Sequence, residues 1–135
     1  MSSFNQDLIA DLRANQGKAS SGPFQGRALA IVTTTGAKSR EPRENPLVFS
    51  RSGDDLVVIA SKGGAPNHPA WFHNLVATPR VKVEVDGEAF EAEARVAQGE
   101  EHDRLYAAHA ALMPAFNEYQ QRTTRKIPVV VLKRV

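Results

Sequence analysis

The 135-residue chain has no cysteine, which excludes disulfides and thiolate metal sites and leans towards a reducing, cytoplasmic setting. No apolar run approaches the ~20 residues that a membrane-spanning helix needs. The N-terminal Met1-Ser2-Ser3-Phe4-Asn5-Gln6-Asp7 lacks the basic-then-apolar pattern of an export signal. Basic clusters are missing as well. Residues 1–62 hold eight Lys or Arg against six acids, and residues 63–135 hold nine of each. Between Glu84 and Asp103 the single base is Arg95, among eight acids. A duplex-binding face needs concentrated positive charge, so nucleic acid is set aside as a partner.

Catalytic signatures are equally scarce. There is no Gly-x-Ser-x-Gly elbow, no His-Glu-x-x-His and no Walker-type phosphate loop. Of the four histidines, His68 and His73 stand five apart, which on a helix separates them by about 140°. No metal site is expected. His102 and His109 are expected on the solvated side of a later helix.

What is there reads as one globular domain, with 41% hydrophobic and 24% charged residues. Residues 1–22 are expected to form a short amphipathic helix (Phe4, Leu8, Ile9 and Leu12 on one side) and a Ser-Gly-Pro linker. That helix is expected to pack on the body; the alternative is a lid. Residues 23–135 are expected to form the main domain. Arg27–Thr34, Asn45–Ser50 and Asp55–Ala60 read as strands, and their short links favour antiparallel pairing. A helix is predicted from about His68 to Ala77, capped by Asn67 or His68 and stopped by Pro79. Val81–Val85 and Glu88–Ala97 alternate around Asp86-Gly87, a preferred hairpin turn pair. Pairing Val85 with Glu88 sets Val83 against Phe90 and Val81 against Ala92, with every apolar partner on one face. A helix over Gly99–Met113 places Leu105, Ala108 and Leu112 on one stripe. A short helical stretch follows Pro114, and Ile127–Leu132 is a final apolar strand. Six mainly antiparallel strands with inserted helices most economically close into a small barrel.

Chemistry is expected at two loops that follow strands. Gly36, Lys38, Ser39 and Arg43 lie in the first. The second, Ala60-Ser61-Lys62-Gly63-Gly64, runs into the helix that carries Trp71. Lysine, arginine and free backbone N–H groups are what phosphate and carboxylate recognition uses. From the residues of Lys38–Glu44 alone, a solvated loop of mixed charge is the favoured reading.

Several stretches in order resemble the deazaflavin-dependent nitroreductase and quinone reductase family. They are Thr33–Ser39, Pro42-Arg43, Asn45-Pro46-Leu47, Ala60–Ala65, His68–Leu75, Thr78-Pro79, Glu118-Tyr119-Gln120 and Ile127–Val131. The resemblance implies a six-stranded, flavin-binding-like split β-barrel. It also implies coenzyme F-420, a deazaflavin with a phospholactyl oligoglutamate tail. By the same resemblance, Lys38, Ser39, Arg43 and Asn45 hold the phosphate and acidic tail. Pro46, Leu47, Val48, Ala60, Ser61, Lys62 and Gly63 line the ring and ribityl region, and Ala70, Trp71 and Asn74 complete the pocket. The implied activity is hydride transfer to a quinone, enone or nitro compound, with Ser61 and Tyr119 as candidate catalytic groups. Two departures stand out. Ala37 replaces the family's usual base and Arg40 its usual glycine. Val48, Met113 and Phe116 replace tyrosines on the substrate side, which favours quinone or enone over nitro reduction. Rival readings are a deazaflavin carrier without turnover and a flavin mononucleotide oxidoreductase on the same fold. A cytoplasmic protein with at most peripheral membrane association is expected, and its oligomeric state is open.

Overall fold

The computed structural model describes residues 3–135. Met1, Ser2, the side chains of Ser3, Phe4 and Pro23, and the surroundings of Gly63 lie outside the described part. The expected packing of Phe4 and the expected cofactor contact of Gly63 therefore fall outside it too. In chain order the elements are α1 (Ser3–Ala14), β1 (Ala30–Thr35), β2 (Pro42–Leu47), β3 (Ser50–Ser52), β4 (Asp55–Ile59), α2 (Ala70–Ala77), β5 (Arg80–Val85), β6 (Glu88–Val96), α3 (Gly99–Leu112), α4 (Ala115–Gln121) and β7 (Val129–Arg134).

All strand pairs are antiparallel, in the order β2-β1-β5-β6-β7-β4-β3. The two edge strands, β2 and β3, are consecutive in the chain and joined only by Val48-Phe49. Three peptide steps reach ~11 Å at most. The sheet must therefore curl until its two ends meet at that link, which makes a barrel split between β2 and β3. The expected fold class holds, with seven strands where six were expected. The run Asn45–Ser50 is not one strand. It leaves the ladder of β1 at Leu47 and rejoins the sheet at Ser50, beside β4. Pro42 and Pro46 sit on an edge strand, where a missing N–H is tolerated.

The β5–β6 hairpin has the register its alternation demands, with Val85 opposite Glu88, Val83 opposite Phe90 and Val81 opposite Ala92. Strands β4 and β7 are buried on both faces. Leu56, Val58, Val130 and Leu132 join Trp71 and Leu75 of α2 in one cluster. Val57, Ile59, Val129 and Val131 join Leu105 of α3 and Phe116 of α4 in another. Continuous apolar sequence is what two covered faces require. In a third cluster α1 lays Leu8, Ile9 and Leu12 on Leu29 and Ile31, and Arg13 bonds both Glu84 and Glu44.

Two local expectations change. Helix α2 begins at Ala70, and Pro69 occupies the N-cap with φ −67° and ψ 154°, so neither Asn67 nor His68 caps it. The fixed φ of proline supplies the entry geometry instead of a side-chain bond. On α3, His102 and His109 are buried, while Ala108 and Leu112 are exposed. The inward stripe runs through His102, Leu105 and His109 because each imidazole finds a polar partner inside. His102 Nε2 donates to the Ile127 carbonyl at 2.8 Å, and His109 Nδ1 lies 2.8 Å from Ser50 Oγ.

Candidate functional site

Two cavities, of about 480 and 470 Å³, both border Trp71. The first lies beside the barrel's split. Its wall includes Leu47 and Val48 at the β2–β3 link, Ser61 and Lys62 after β4, and Phe116 and Tyr119 of α4. Pro46, Met113, Ile59 and Pro69 line it too, and Phe24, Arg27 and Leu29 face it from the segment before β1. Among the described residues no carboxylate lines it, and its apolar walls carry two cations, Arg27 and Lys62. The second cavity gathers Gly36, Lys38, Ser39, Arg43 and Asn45 from the β1–β2 connection, and Ala70, His73 and Asn74 from α2. Asn5 and Glu44 complete its rim.

The β1–β2 connection is tightly built. Gly36 N donates to Glu41 O at 2.8 Å, and Arg40 N donates back to Gly36 O at 2.9 Å. A Cβ on Gly36 would collide with Ser39 Oγ. Asn74 pins this loop to α2, accepting from Ala37 N at 3.0 Å and donating to Thr34 Oγ1 at 3.1 Å. Arg43 donates to Ser39 Oγ at 3.3 Å, and Asn45 gives its amide N–H groups to Val32 O and Arg43 O. Lys38, Ser39 and Arg43 remain exposed. Arg40 has φ 63°, the left-handed conformation that glycine adopts with least strain.

Lys62 also has a left-handed backbone, with φ 48°, and opens the turn Lys62–Gly64. Non-glycine residues held there mark sites whose surroundings overdetermine the backbone. Gly64, at φ 82°, comes so near α4 that a Cβ would stand 2.7 Å from Tyr119 O and 2.9 Å from Arg122 Cβ. Ser61 is buried at the cavity wall, and half-buried Tyr119 packs its ring edge-on against Phe116 at 5.1 Å.

Behind this wall His109 is fully buried, and its Nε2 has no hydrogen-bond partner among the described residues. Burial, with a lesser contribution from Arg27, pushes its pKa down to about 4, so the ring is neutral near pH 7. His68, on the far side of the loop, is likewise held below its ordinary value by burial and then by Arg125 and His73.

The structure thus brings Pro46, Leu47, Val48, Ser61, Lys62 and Tyr119 to one cavity. It brings Lys38, Ser39, Arg43, Asn45, Ala70 and Asn74 to the other, with Trp71 shared. Ala60 lines neither; it is fully buried, and its carbonyl accepts from Arg125. Arg125, Arg27, Phe24 and Leu29 escape a reading of the sequence. Nothing in Thr123-Thr124-Arg125-Lys126 distinguishes a half-buried organising arginine from a solvated one. Among the described residues no cluster of His, Asp or Glu can hold a metal, and no helix is long and apolar enough to cross a membrane.

Residues 7–134 match the family model described as F420H(2)-dependent quinone reductase. An F420H(2)-dependent quinone reductase of Mycobacterium tuberculosis (strain ATCC 25618 / H37Rv) is 42% identical over 109 residues, covering 77% of this chain and 72% of that protein. A solved F420-H2 dependent reductase, FDR-A, superposes with a TM-score of 0.72 at 36% identity, over 78% of this chain and 93% of that one. A second solved chain, described as a domain-swapped dimer, gives a TM-score of 0.75 at 32% identity, over 95% and 98%.

Proposed function

The chain belongs to the F420H(2)-dependent quinone reductase family, and we propose that it transfers a hydride from the reduced deazaflavin to a quinone-type acceptor. One observation carries the reading: a cavity walled by the rings of Phe24, Phe116 and Tyr119 and one rimmed by Lys38, Ser39 and Arg43 meet at Trp71. A ligand with a flat apolar head and a polyanionic tail fits that pair. The donor set agrees, since Lys38, Arg43 and the Ser39 hydroxyl stand exposed around a tight turn.

Bound in this site, the reduced coenzyme supplies the hydride. Everything else falls to the protein. Lys38, Ser39, Arg43 and Asn45 hold the phosphate and acidic tail. Pro46, Leu47, Val48, Lys62 and Trp71 shape the head's seat, and Ala70 and Asn74 wall the tail's cavity. Leu29, Met113 and Phe116 exclude water, which strengthens each polar contact inside. Ser61 donates a hydrogen bond to the acceptor oxygen, where negative charge develops. Tyr119 gives or relays the proton that completes a two-electron reduction. Apolar Val48, Met113 and Phe116 favour quinones and activated alkenes; nitro compounds are the weaker acceptors. A cytoplasmic site of action, with peripheral membrane contact for lipid-soluble quinones, goes with this substrate class.

The test is multiple-turnover oxidation of the reduced coenzyme by purified protein with menadione, an enone and a nitroimidazole as acceptors. Sustained turnover with menadione supports the proposal. Tight coenzyme binding without turnover favours a carrier, and tighter binding of flavin mononucleotide than of the deazaflavin favours the rival cofactor.

A further inference from the structure

We infer that Arg125 is a positioning residue whose fork of hydrogen bonds locks Ser61 and Lys62 in register with Tyr119. The inference rests on the reading that the cavity lined by Ser61 and Tyr119 seats the reacting groups. Arg125 Nε donates to Ala65 O at 2.9 Å, Nη2 to Ser61 O at 2.7 Å, and Nη1 to Ala60 O at 3.2 Å and to His68 Nδ1 at 2.9 Å. The carbonyls of Ala60 and Ser61 belong to the two peptide planes that flank Ser61. Fixing both planes fixes the Ser61 backbone, and with it the few directions its hydroxyl can take.

Arg125 is in turn tied to α4. Gln120 Nε2 donates to Arg125 O at 2.8 Å, and Gln120 Oε1 accepts from Ile127 N at 3.0 Å. Gln120 is the neighbour of Tyr119, and Gly64 touches the backbone of Tyr119 itself. The loop 60–68, the segment 123–127 and α4 therefore form one unit with a candidate polar group on each side. Among the described residues no carboxylate pairs with Arg125, so its guanidinium is committed to backbone geometry. A lysine keeps the charge, but its three donors radiate from one atom and cannot span carbonyls of residues 60, 61 and 65 together.

The test compares wild type, Arg125→Lys and Gln120→Leu. Amide hydrogen exchange on the coenzyme-free protein reads the clamp directly. Gly64 N and Ala65 N, which donate to Ser61 O and Lys62 O, should exchange at least tenfold faster in R125K, while α3 amides do not change. Under turnover with menadione, kcat should fall at least tenfold while the coenzyme Kd moves less than threefold, because the tail contacts lie in the other cavity. Q120L, which leaves Arg125 in place but unties its segment, should show the same split to a smaller degree and serves if R125K fails to fold. Unchanged exchange at Gly64 and Ala65, or kcat and coenzyme affinity lost in equal proportion, overturns the inference. A wild type that binds coenzyme without turnover defeats the functional reading instead, and the exchange experiment still decides the clamp.

Discussion

Lys38 and Arg43 stand exposed and leave the fold little changed if removed, so their substitution separates binding from stability. Replacing both with alanine removes two charge-assisted contacts, each worth about 1.5–3 kcal/mol. Deazaflavin affinity should fall by two orders of magnitude or more, with the melting temperature nearly constant. A fluorescence titration and a melting curve check this pair of outcomes. Arg40 poses the opposite case. Its φ of 63° is a glycine conformation, costing a side chain roughly 1–2 kcal/mol. Glycine there loses more chain entropy on folding, by about 0.5–1 kcal/mol. Arg40→Gly should leave stability unchanged or raise it by up to ~1 kcal/mol, as read by chemical denaturation.

His109 makes stability depend on pH. Its folded pKa, about 4, lies below its ordinary 6.5, so the unfolded chain binds more protons between those values. Stability is undiminished above pH 6.5 and falls as the pH drops towards 4, by roughly 3 kcal/mol for this group. Urea unfolding at pH 7.5 and 4.5 should show the loss, and His109→Gln should flatten it. Neither buried histidine is legible in the sequence. His102 stands among the polar residues Glu100–Arg104 and His109 among the alanines of Ala107–Ala111, which mark no inward face, and their orientation depends on Ile127 O and Ser50 Oγ, far along the chain.

At the scale of elements, alternation and turn chemistry make the β5–β6 hairpin readable to the residue, because a one-position slip would bury Lys82, Glu84, Glu91 and Glu93. The break between β2 and β3 is not readable. Val48 and Phe49 look like continued strand, and only the need to cross from one sheet edge to the other takes them out of the ladder. The cations of the β1–β2 loop are visible in its residue types, but those types alone favour a solvated loop, and it is the fold that sets them beside Trp71. The clamp was not, since Arg125 acts on carbonyls about 60 positions away, and any residue presents a carbonyl. Gly64 tests how closely the turn must approach α4. Gly64→Ala combines a φ of 82° with a 2.7 Å approach to Tyr119 O. It should destabilise the protein by about 1–3 kcal/mol and slow quinone reduction more than it weakens tail binding. Denaturant curves beside steady-state kinetics give both readings.

For the molecule as a whole, three apolar clusters share one curled sheet, and α1 closes the third. Leu12, 1% exposed, is its most enclosed helix residue. Leu12→Ala should cost about 2–5 kcal/mol, far more than removing the half-exposed Arg13 pairs, whose kind contributes about 0.2–1 kcal/mol. Melting temperatures of L12A and R13A rank the two. A larger effect of R13A would mean that α1 is held by charge and not by packing.

The placement of β7 reaches beyond the finished fold. It is the last of the seven strands in sequence, yet it lies inside the sheet, between β6 and β4. During synthesis, the β3–β4 hairpin emerges long before the strand that joins it to the rest. Until Val129–Arg134 has left the ribosome, Ser61 and Lys62 have no sheet behind them, and Val57 and Val58 lie open to solvent. The growing chain therefore carries an unpaired apolar hairpin until β7 joins it, and the wall that holds Ser61 and Lys62 is completed only by that strand.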